Sequence, residues 1–544
     1  MKSILTGKVI LIVEDYAVMR KTIRDMLYAL EADNIVEADN GVNAINAMGK
    51  TSFDIVLCDY NLGEGKNGQQ VLEEARHRKL INPNCIFIII AAEQSVSMVL
   101  GAMDSKPDEY LTKPFNAQQL FSRIERNLIR KQYLQSVEKE IQRGNLSQAI
   151  QNCEQLMASD NKKMRTHVLK KRAELATMVG DYGTAQKIYR ETLEQYDLPW
   201  ARLGLGIVEY QQGNFEEATV IFEALLKDSP MFLEAYDWLS KAYEALDRRQ
   251  DVQEVLNQAV DLSPQCILRQ KKLAETADKN GNIAVAEKAY KATVTLGRHS
   301  VHKSCGDFTN LAKLYTKTNS SAQALSALKE MRREYPNDPE AELRAATLEV
   351  ELHKNAGNDE LANKCLQKAL ELNKQLGNET PKDLQLDIAR SCFLQNRQDQ
   401  AEEILDGLIK TNIDDDGFIN GIRYMQNEIG LKNHSEELIQ RTKRELVATN
   451  NKGVALYKQG KFKEAMDLFE KAMSVMPDNK TIIINMLKIL VHDLKNTGID
   501  EQKLLRAQAL FKRAKRVGIE QNKLGILQME FSNLLRKNTS GGKE

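Results

Sequence analysis

Two adjacent acids, Glu14 and Asp15, close the apolar run KVILIVED at 8–15. A third acid, Asp59, closes DIVLCD at 54–59, and Lys113 followed by Pro114 closes DEYLT at 108–112. Three carboxylates converging in one crevice repel each other and call for a hard divalent cation with oxygen ligands. Mg²⁺ fits, because it keeps several waters and needs few protein carboxylates. Once that charge is offset, Asp59 can attack a phosphoryl group and become an aspartyl phosphate, and Lys113 can pair with a phosphoryl oxygen. The fourth apolar run, NCIFIIIA at 84–91, ends on Ala91, which offers only a methyl group.

These residues are useful only if the chain brings them to one edge. The runs at 8–15, 34–38, 54–59, 84–91 and 108–112 have the β-branched, apolar character of buried strands. Segments of helical periodicity lie at 19–30, 41–49, 68–79, 93–104 and 117 to about 130. Five alternations of strand and helix predict an α/β, doubly wound parallel five-stranded sheet of flavodoxin-like type, with right-handed crossovers. In such sheets the site forms at the carboxyl ends of the strands, which is where the three acids and the lysine fall.

Acid pair, central aspartate, terminal Lys-Pro and five β/α units in this order resemble the receiver domain of two-component response regulators, over residues 7 to about 128. The matched residues are Glu14, Asp15, Asp59, Asn61, Tyr110, Lys113, Pro114 and Phe115. The resemblance implies that Asp59 is the phosphoacceptor and that Asp15 and Asp59 ligate Mg²⁺ directly. It further implies that Glu14 reaches the metal through water, Asn61 through its backbone carbonyl, and that the Lys113–Pro114 bond is cis. It also implies a sensor histidine kinase or phosphotransfer protein as partner.

Receivers ordinarily carry Ser or Thr at the position of Ala91. That hydroxyl bonds the phosphoryl group and draws in the following loop, while an aromatic at the position of Tyr110 turns inward behind it. With Ala91 the loop forgoes roughly 1.5–3 kcal/mol, the usual worth of a hydrogen bond to a charged group. Three readings stand: the domain signals through metal and Lys113 contacts, it is tuned by binding rather than by phosphate, or it is a relic scaffold. The intact acids and lysine argue against a relic, since clustered charges without chemistry cost stability. Asn61 and Glu93, two residues beyond Asp59 and Ala91, occupy positions that in receivers influence phosphoryl lifetime; both admit a water, so a short-lived phosphoryl state is expected.

From about residue 130 the strand signals stop and a helix-turn-helix period begins. Its turns fall at Gly144, Gly180, Gly213, Asp247, Gly281, Asn319, Gly357, Asn396 and Gly460, and the steps from 180 to 281 are 33, 34 and 34 residues. Five residues beyond each turn stands a small or modest apolar residue, from Ala149 to Ala465, that lets two helices approach closely. LGIVEYQQGNFEEATVIFEALLKDSP at 205–230 and KGVALYKQGKFKEAMDLFEKAMSVMPDN at 452–479 share one pattern, and Pro230 and Pro264 stop helices one period apart. The pattern resembles the tetratricopeptide repeat family, with nine or more copies expected; the copies near 340–372 and 413–448 are the poorest. A helical pair cannot bury its apolar face alone, so the pairs are expected to stack into an all-α solenoid with a concave, peptide-binding groove. Tyr236 and Tyr243 occupy repeat-core positions, and Trp238 lies off them. IDDDG at 413–417 lacks the alternating ligands of a Ca²⁺ loop and reads as a solvated inter-helix loop.

The expected organisation is a receiver at 1–128, a repeat array at 129–520, and a cap helix with a disordered tail at 521–544. No Pro or Gly interrupts the chain between the helix at 117 and Gly144, so a continuous helix is expected to couple the first two parts. Lys plus Arg number 76 and Asp plus Glu 76, which leaves no electrostatic footprint for nucleic acid. No segment approaches the ~18–20 apolar residues of a membrane span, and the N-terminus has no signal-peptide pattern, so a cytoplasmic location is expected. The seven cysteines form no metal or disulfide pattern. The chain reads as a response regulator, not an enzyme, whose receiver controls a protein contact made by the repeats. A non-switching scaffold is the alternative. A hydrolase using Asp59 is a third class, disfavoured because its phosphatase forms want an acid where Asn61 stands; a transcription factor is disfavoured by the lack of a basic helix-turn-helix.

Overall fold

Five apolar runs form the strands of one parallel sheet in the order β2-β1-β3-β4-β5. The structure is a computed structural model and describes residues 3–92, 96–159, 161–431, 434–476, 478–497 and 500–540. In chain order the elements are β1 Val9–Val13, α1 Ala17–Ala29, β2 Asn34–Ala38, α2 Gly41–Lys50 and β3 Ile55–Asp59. They continue with α3 Gly68–His77, β4 Ile86–Ala91, α4 Val96–Asp104, β5 Glu109–Thr112 and α5 Ala117–Gln142. The two-residue period of the strands divides the core. Leu11, Val56, Phe87 and Ile89 pack on one face with α2 and α3, while Ile10, Leu57, Ile88 and Ile90 pack on the other with α1 and α5. Asn67 and Asn116 each open a helix with a capping box, paired with Gln70 and Gln119, which fixes where α3 and α5 begin. The Lys113–Pro114 bond is cis, as the resemblance implies.

The expected continuous helix is present: α5 runs 26 residues from Ala117 to Gln142 before Gly144 turns the chain. Beyond it come α6 Leu146–Ala158, α7 Lys162–Met178, α8 Tyr182–Gln195, α9 Pro199–Gln212 and α10 Phe215–Asp228. Then follow α11 Leu233–Ala245, α12 Arg249–Leu262, α13 Ile267–Lys279 and α14 Ile283–Gly297. Met1–Thr177 and Asp181–Asp307 form one compact unit, so the α/β domain shares a body with these helices. Met178–Gly180 and Phe308–Glu544 form a second.

All nine turn residues read from the sequence adopt positive φ, and the small residues five positions on are buried. Further positive-φ turns, Gly430 and Gly518 among them, went unread. The poor copy at 413–448 has a physical reason. A single helix, Glu436–Lys458, runs 23 residues without a break where two shorter ones are the rule, so its spacing departs from the period. IDDDG is less solvated than expected: Asp415 caps the helix that starts at Asp416, and Asp414 accepts from the Thr481 amide. The last helix reaches Ser540, so the first residues of the expected tail are helical, and 541–544 lie outside the described residues. The seven cysteines are free thiols. Among the described residues no helix is long and apolar enough to cross a membrane.

Candidate functional site

Parallel register delivers the acids to one edge. Val13 pairs with Cys58, so Glu14 and Asp15, just past β1, lie beside Asp59 at the end of β3. Lys113 follows β5, and its amide donates to the Ala91 carbonyl at 2.8 Å. Its ammonium lies 2.8 Å from Glu14 Oε2 and 3.0 Å from Asp59 Oδ2. Glu14 and Asp59 are buried and Asp15 is exposed. One oxygen from each of the three carboxylates falls within 4.8 Å of the others.

Close backbone packing holds this arrangement. A Cβ at Gly68 would sit 2.3 Å from the Asp59 carbonyl oxygen, so only glycine lets the start of α3 press against that strand end. Arg20 donates to the Glu14 carbonyl at 2.6 Å and to the Asp15 carbonyl at 3.4 Å, fixing the turn after β1. Burial pushes the Glu14 carboxyl up and Asp59 adds to it, while Lys113 pulls it back. Burial likewise raises Asp59 against the pull of Lys113. Burial alone would lower Lys113, but Glu14 and Asp59 outweigh it and raise it. Three carboxylates against one ammonium leave the pocket short of positive charge, and the donor atoms are all hard oxygens. The residues present therefore fit a divalent cation of the Mg²⁺ class.

The other expected residues are placed as follows. Ala91 is buried at the end of β4, paired with Thr112, and presents no polar atom beyond its backbone. Tyr110 is partly buried against the cluster that contains Ala91. Asn61 is exposed, and its Oδ1 accepts from the Gly63 amide at 3.3 Å. Glu93 lies outside the described residues. Tyr236 and Tyr243 are buried in the repeats and Trp238 is half-buried, its ring edge-on to Tyr210 at 5.5 Å and under the Lys241 ammonium at 4.1 Å.

A second charge cluster, not read from the sequence, lies where α4 meets the repeats. Arg269 of α13 grips Asp104 at the end of α4 through two hydrogen bonds of 2.9 and 3.0 Å. The same guanidinium grips Asp237 of α11 at 2.8 and 2.9 Å. Ser263 also hydrogen-bonds Asp104. The side chains of Arg269 and Asp104 are only 4% and 10% exposed, so this is a nearly dry ion cluster. Burial would lower the Arg269 guanidinium, and its bonds with Asp237 and Asp104 raise it instead. Lys66, in the loop after Asp59, donates to the His299 carbonyl at 3.2 Å. Two segments that follow site residues are thus fastened to the repeats. Asp104 and Arg269 are far apart in sequence; the one local signal was an arginine four residues before buried Leu273, on the rim of an apolar stripe.

Residues 10–125 match the response regulator receiver domain. Residues 171–230, 233–266 and 448–479 match the tetratricopeptide repeat. The chain is 31% identical over 117 residues to the chemotaxis protein CheY of Pseudomonas aeruginosa, covering 22% of this chain and 93% of that one. It is 34% identical over 115 residues to the response regulator protein PmrA of the same organism, covering 21% of this chain and 50% of that one. Among solved structures, a tetratricopeptide repeat protein from Parabacteroides merdae matches at 14% identity and TM-score 0.29, covering 49% of this chain and 98% of that one. Through its first 125 residues the chain belongs to the response regulator receiver family, with tetratricopeptide repeats in the same polypeptide.

Proposed function

We propose that this chain is a cytoplasmic response regulator whose output is a protein contact made by its repeats, set by the phosphorylation state of Asp59. The observation that carries the reading is the fastening of α4 to the repeats by Asp104, Arg269 and Asp237, because it joins the receiver's site to the binding module. In this reading an Asp59 carboxylate oxygen attacks phosphorus, forming an O–P bond as the P–N bond of a phosphohistidine donor breaks. Its partner is then a sensor histidine kinase or phosphotransfer protein. Lys113 releases part of its hold on Asp59 and pairs with a phosphoryl oxygen. Glu14, Asp15, Asp59 and the Asn61 carbonyl would hold Mg²⁺, which when bound would supply the charge that lets two anions approach. Asn61 and Glu93 set the lifetime of the product through water access. The repeats take a protein or peptide ligand in their groove, and the chain turns over no substrate of its own.

Ala91 favours a second reading, in which the receiver is a fixed spacer and the chain a scaffold, since the hydroxyl that reads the phosphoryl group is missing. Limited proteolysis of the full chain with Mg²⁺ and beryllofluoride separates the two. The switch reading expects an altered cleavage pattern in the repeats that disappears in Asp59→Asn. An unchanged pattern, with binding at Asp59 verified by fluorine NMR, leaves the scaffold.

A further inference from the structure

At the amino edge of the sheet, opposite the carboxylates, lies a cleft of about 920 Å³ that no step above uses. Its floor is Asn84, Cys85 and Asp108; α3 contributes Arg76 and is followed by Lys79. One wall is α5, with Arg130, Lys131 and Leu134, and the other is α7, with His167, Lys170 and Lys171. All belong to the first compact unit. Six lysines and arginines face three carboxylates here, in a chain whose basic and acidic residues are equal in number.

The three carboxylates are already engaged. Asp108 is held by Arg130 at 3.3 Å and Lys131 at 2.8 Å, and Lys171 spans Glu138 and Glu174 at 3.1 and 3.2 Å. Among the described residues Arg76 donates to the Ser105 and Lys106 carbonyls and has no carboxylate at ion-pair distance, with the Asp108 charge nearby. Among the described residues Lys79 and Lys170 have no carboxylate at ion-pair distance. The resulting field is legible in His167, whose imidazole burial holds below its ordinary value, with Arg130 and Lys170 adding to the effect. One observation goes beyond charge: Ile81, Pro83 and Leu134 add an apolar stretch to the lining.

A ligand that satisfies both features carries several negative charges and a flat apolar part. The volume also lies within the range of about 300–1,000 Å³ typical of small-ligand sites. We propose that this cleft binds a nucleoside di- or triphosphate, its phosphates facing Arg76, Lys79 and Lys170 and its base lying against Ile81, Pro83 and Leu134. Inorganic polyphosphate shares the charge and lacks the rest. Because the lining comes from both the receiver and α7, occupancy ties the two together.

The test is isothermal titration of the full chain in EDTA, so that the Asp59 pocket holds no divalent ion, against ATP, GTP, CTP, UTP and tripolyphosphate. At least one nucleotide is expected to bind, about tenfold or more tighter than tripolyphosphate. Lys79→Gln with Lys170→Gln, both at exposed positions, is expected to weaken it at least tenfold with an unchanged melting curve, and Asp59→Asn to leave it unchanged. The proposal is overturned by no binding of any nucleotide at millimolar concentration, by equal binding of tripolyphosphate, or by affinity that survives the double substitution. Loss in Asp59→Asn alone overturns it too, since binding then belongs to the carboxylate pocket.

Discussion

Replacing Asp104 by Asn keeps the shape of the α4 terminus and removes its charge. The wild-type carboxylate accepts two bonds from Arg269, at 2.9 and 3.0 Å, and one from Ser263, in a nearly dry setting. Breaking one side of a buried ion pair costs about 3–5 kcal/mol when the remaining charge is stranded. Arg269 is not stranded, because Asp237 still holds it at 2.8 and 2.9 Å and is 41% exposed to water. The loss is therefore smaller, about 2–3 kcal/mol, one to two charge-assisted hydrogen bonds. That corresponds to roughly a 30- to 150-fold change in the docking equilibrium of α4.

Hydrogen exchange reads this directly. In Asp104→Asn the amides of α4 are expected to exchange at least tenfold faster, while those of α6, which contributes no residue to the cluster, keep their rates. A cycle with Arg269→Met, which retains the aliphatic stem, should return a coupling energy above about 1 kcal/mol. If the docked α4 opposes the phosphorylated form, linkage requires Asp104→Asn to bind beryllofluoride with Mg²⁺ more tightly. Exchange in α4 within twofold of wild type, or a coupling energy near zero, would show that the cluster decorates the contact without holding it.

Ala91→Ser should restore the missing donor and tighten beryllofluoride binding by about tenfold or more, the yield of roughly 1.5–3 kcal/mol from a bond to a charged group; titration by fluorine NMR checks it. Gly68→Ala should destabilise the fold by about 1–3 kcal/mol in urea, because the new Cβ would meet the Asp59 carbonyl oxygen at 2.3 Å and backbone cannot yield as a side chain does. In the second unit, hydrogen bonds from Arg423 and then Gln440 lower Glu436 from 4.5 to about 2. A folded value below the unfolded one means its stabilisation is present above about pH 4.5 and lost as pH falls toward 2. Glu436→Gln should thus cost about 0.5 kcal/mol at pH 7 after solvent screening, and the difference should shrink below pH 4.5 in urea titrations.

The sheet was legible because each strand is a short, β-branched run ended by a functional or turn residue, and period-two burial needs no long-range information. The repeat turns were legible because the chain must enter positive φ there, which selects Gly, Asn or Asp, and all nine positions comply. Gly430 stands one period beyond Asn396 but escaped because the polar Ser435, not a small apolar residue, follows it five positions on, and Gly518 escaped because it falls off the period counted from Gly460. The acids of the site announced themselves by standing at strand ends. Arg20, Gly68 and the Asp104 cluster did not, since their roles depend on which backbone or carboxylate the tertiary fold brings near them, and no periodicity encodes that.

The receiver is joined to the repeats by two routes that begin at different atoms of the same pocket. One starts at Ala91, crosses to α4 and ends on Arg269; its first link lacks the hydroxyl that would pull on it. The other starts at Lys113, which both buried carboxylates hold and which stands four residues before α5 begins. At about 1.5 Å per residue α5 is a rod of roughly 39 Å, and its 26 residues carry no Pro or Gly at which to bend. In the proposed switch, a change in the Lys113 ion pairs would be delivered to α6 without passing through Ala91. The absent hydroxyl and the long α5 would then fit together: the readout would shift from the loop after β4 to the helix after β5, with the α4 cluster as the brake against which that helix works.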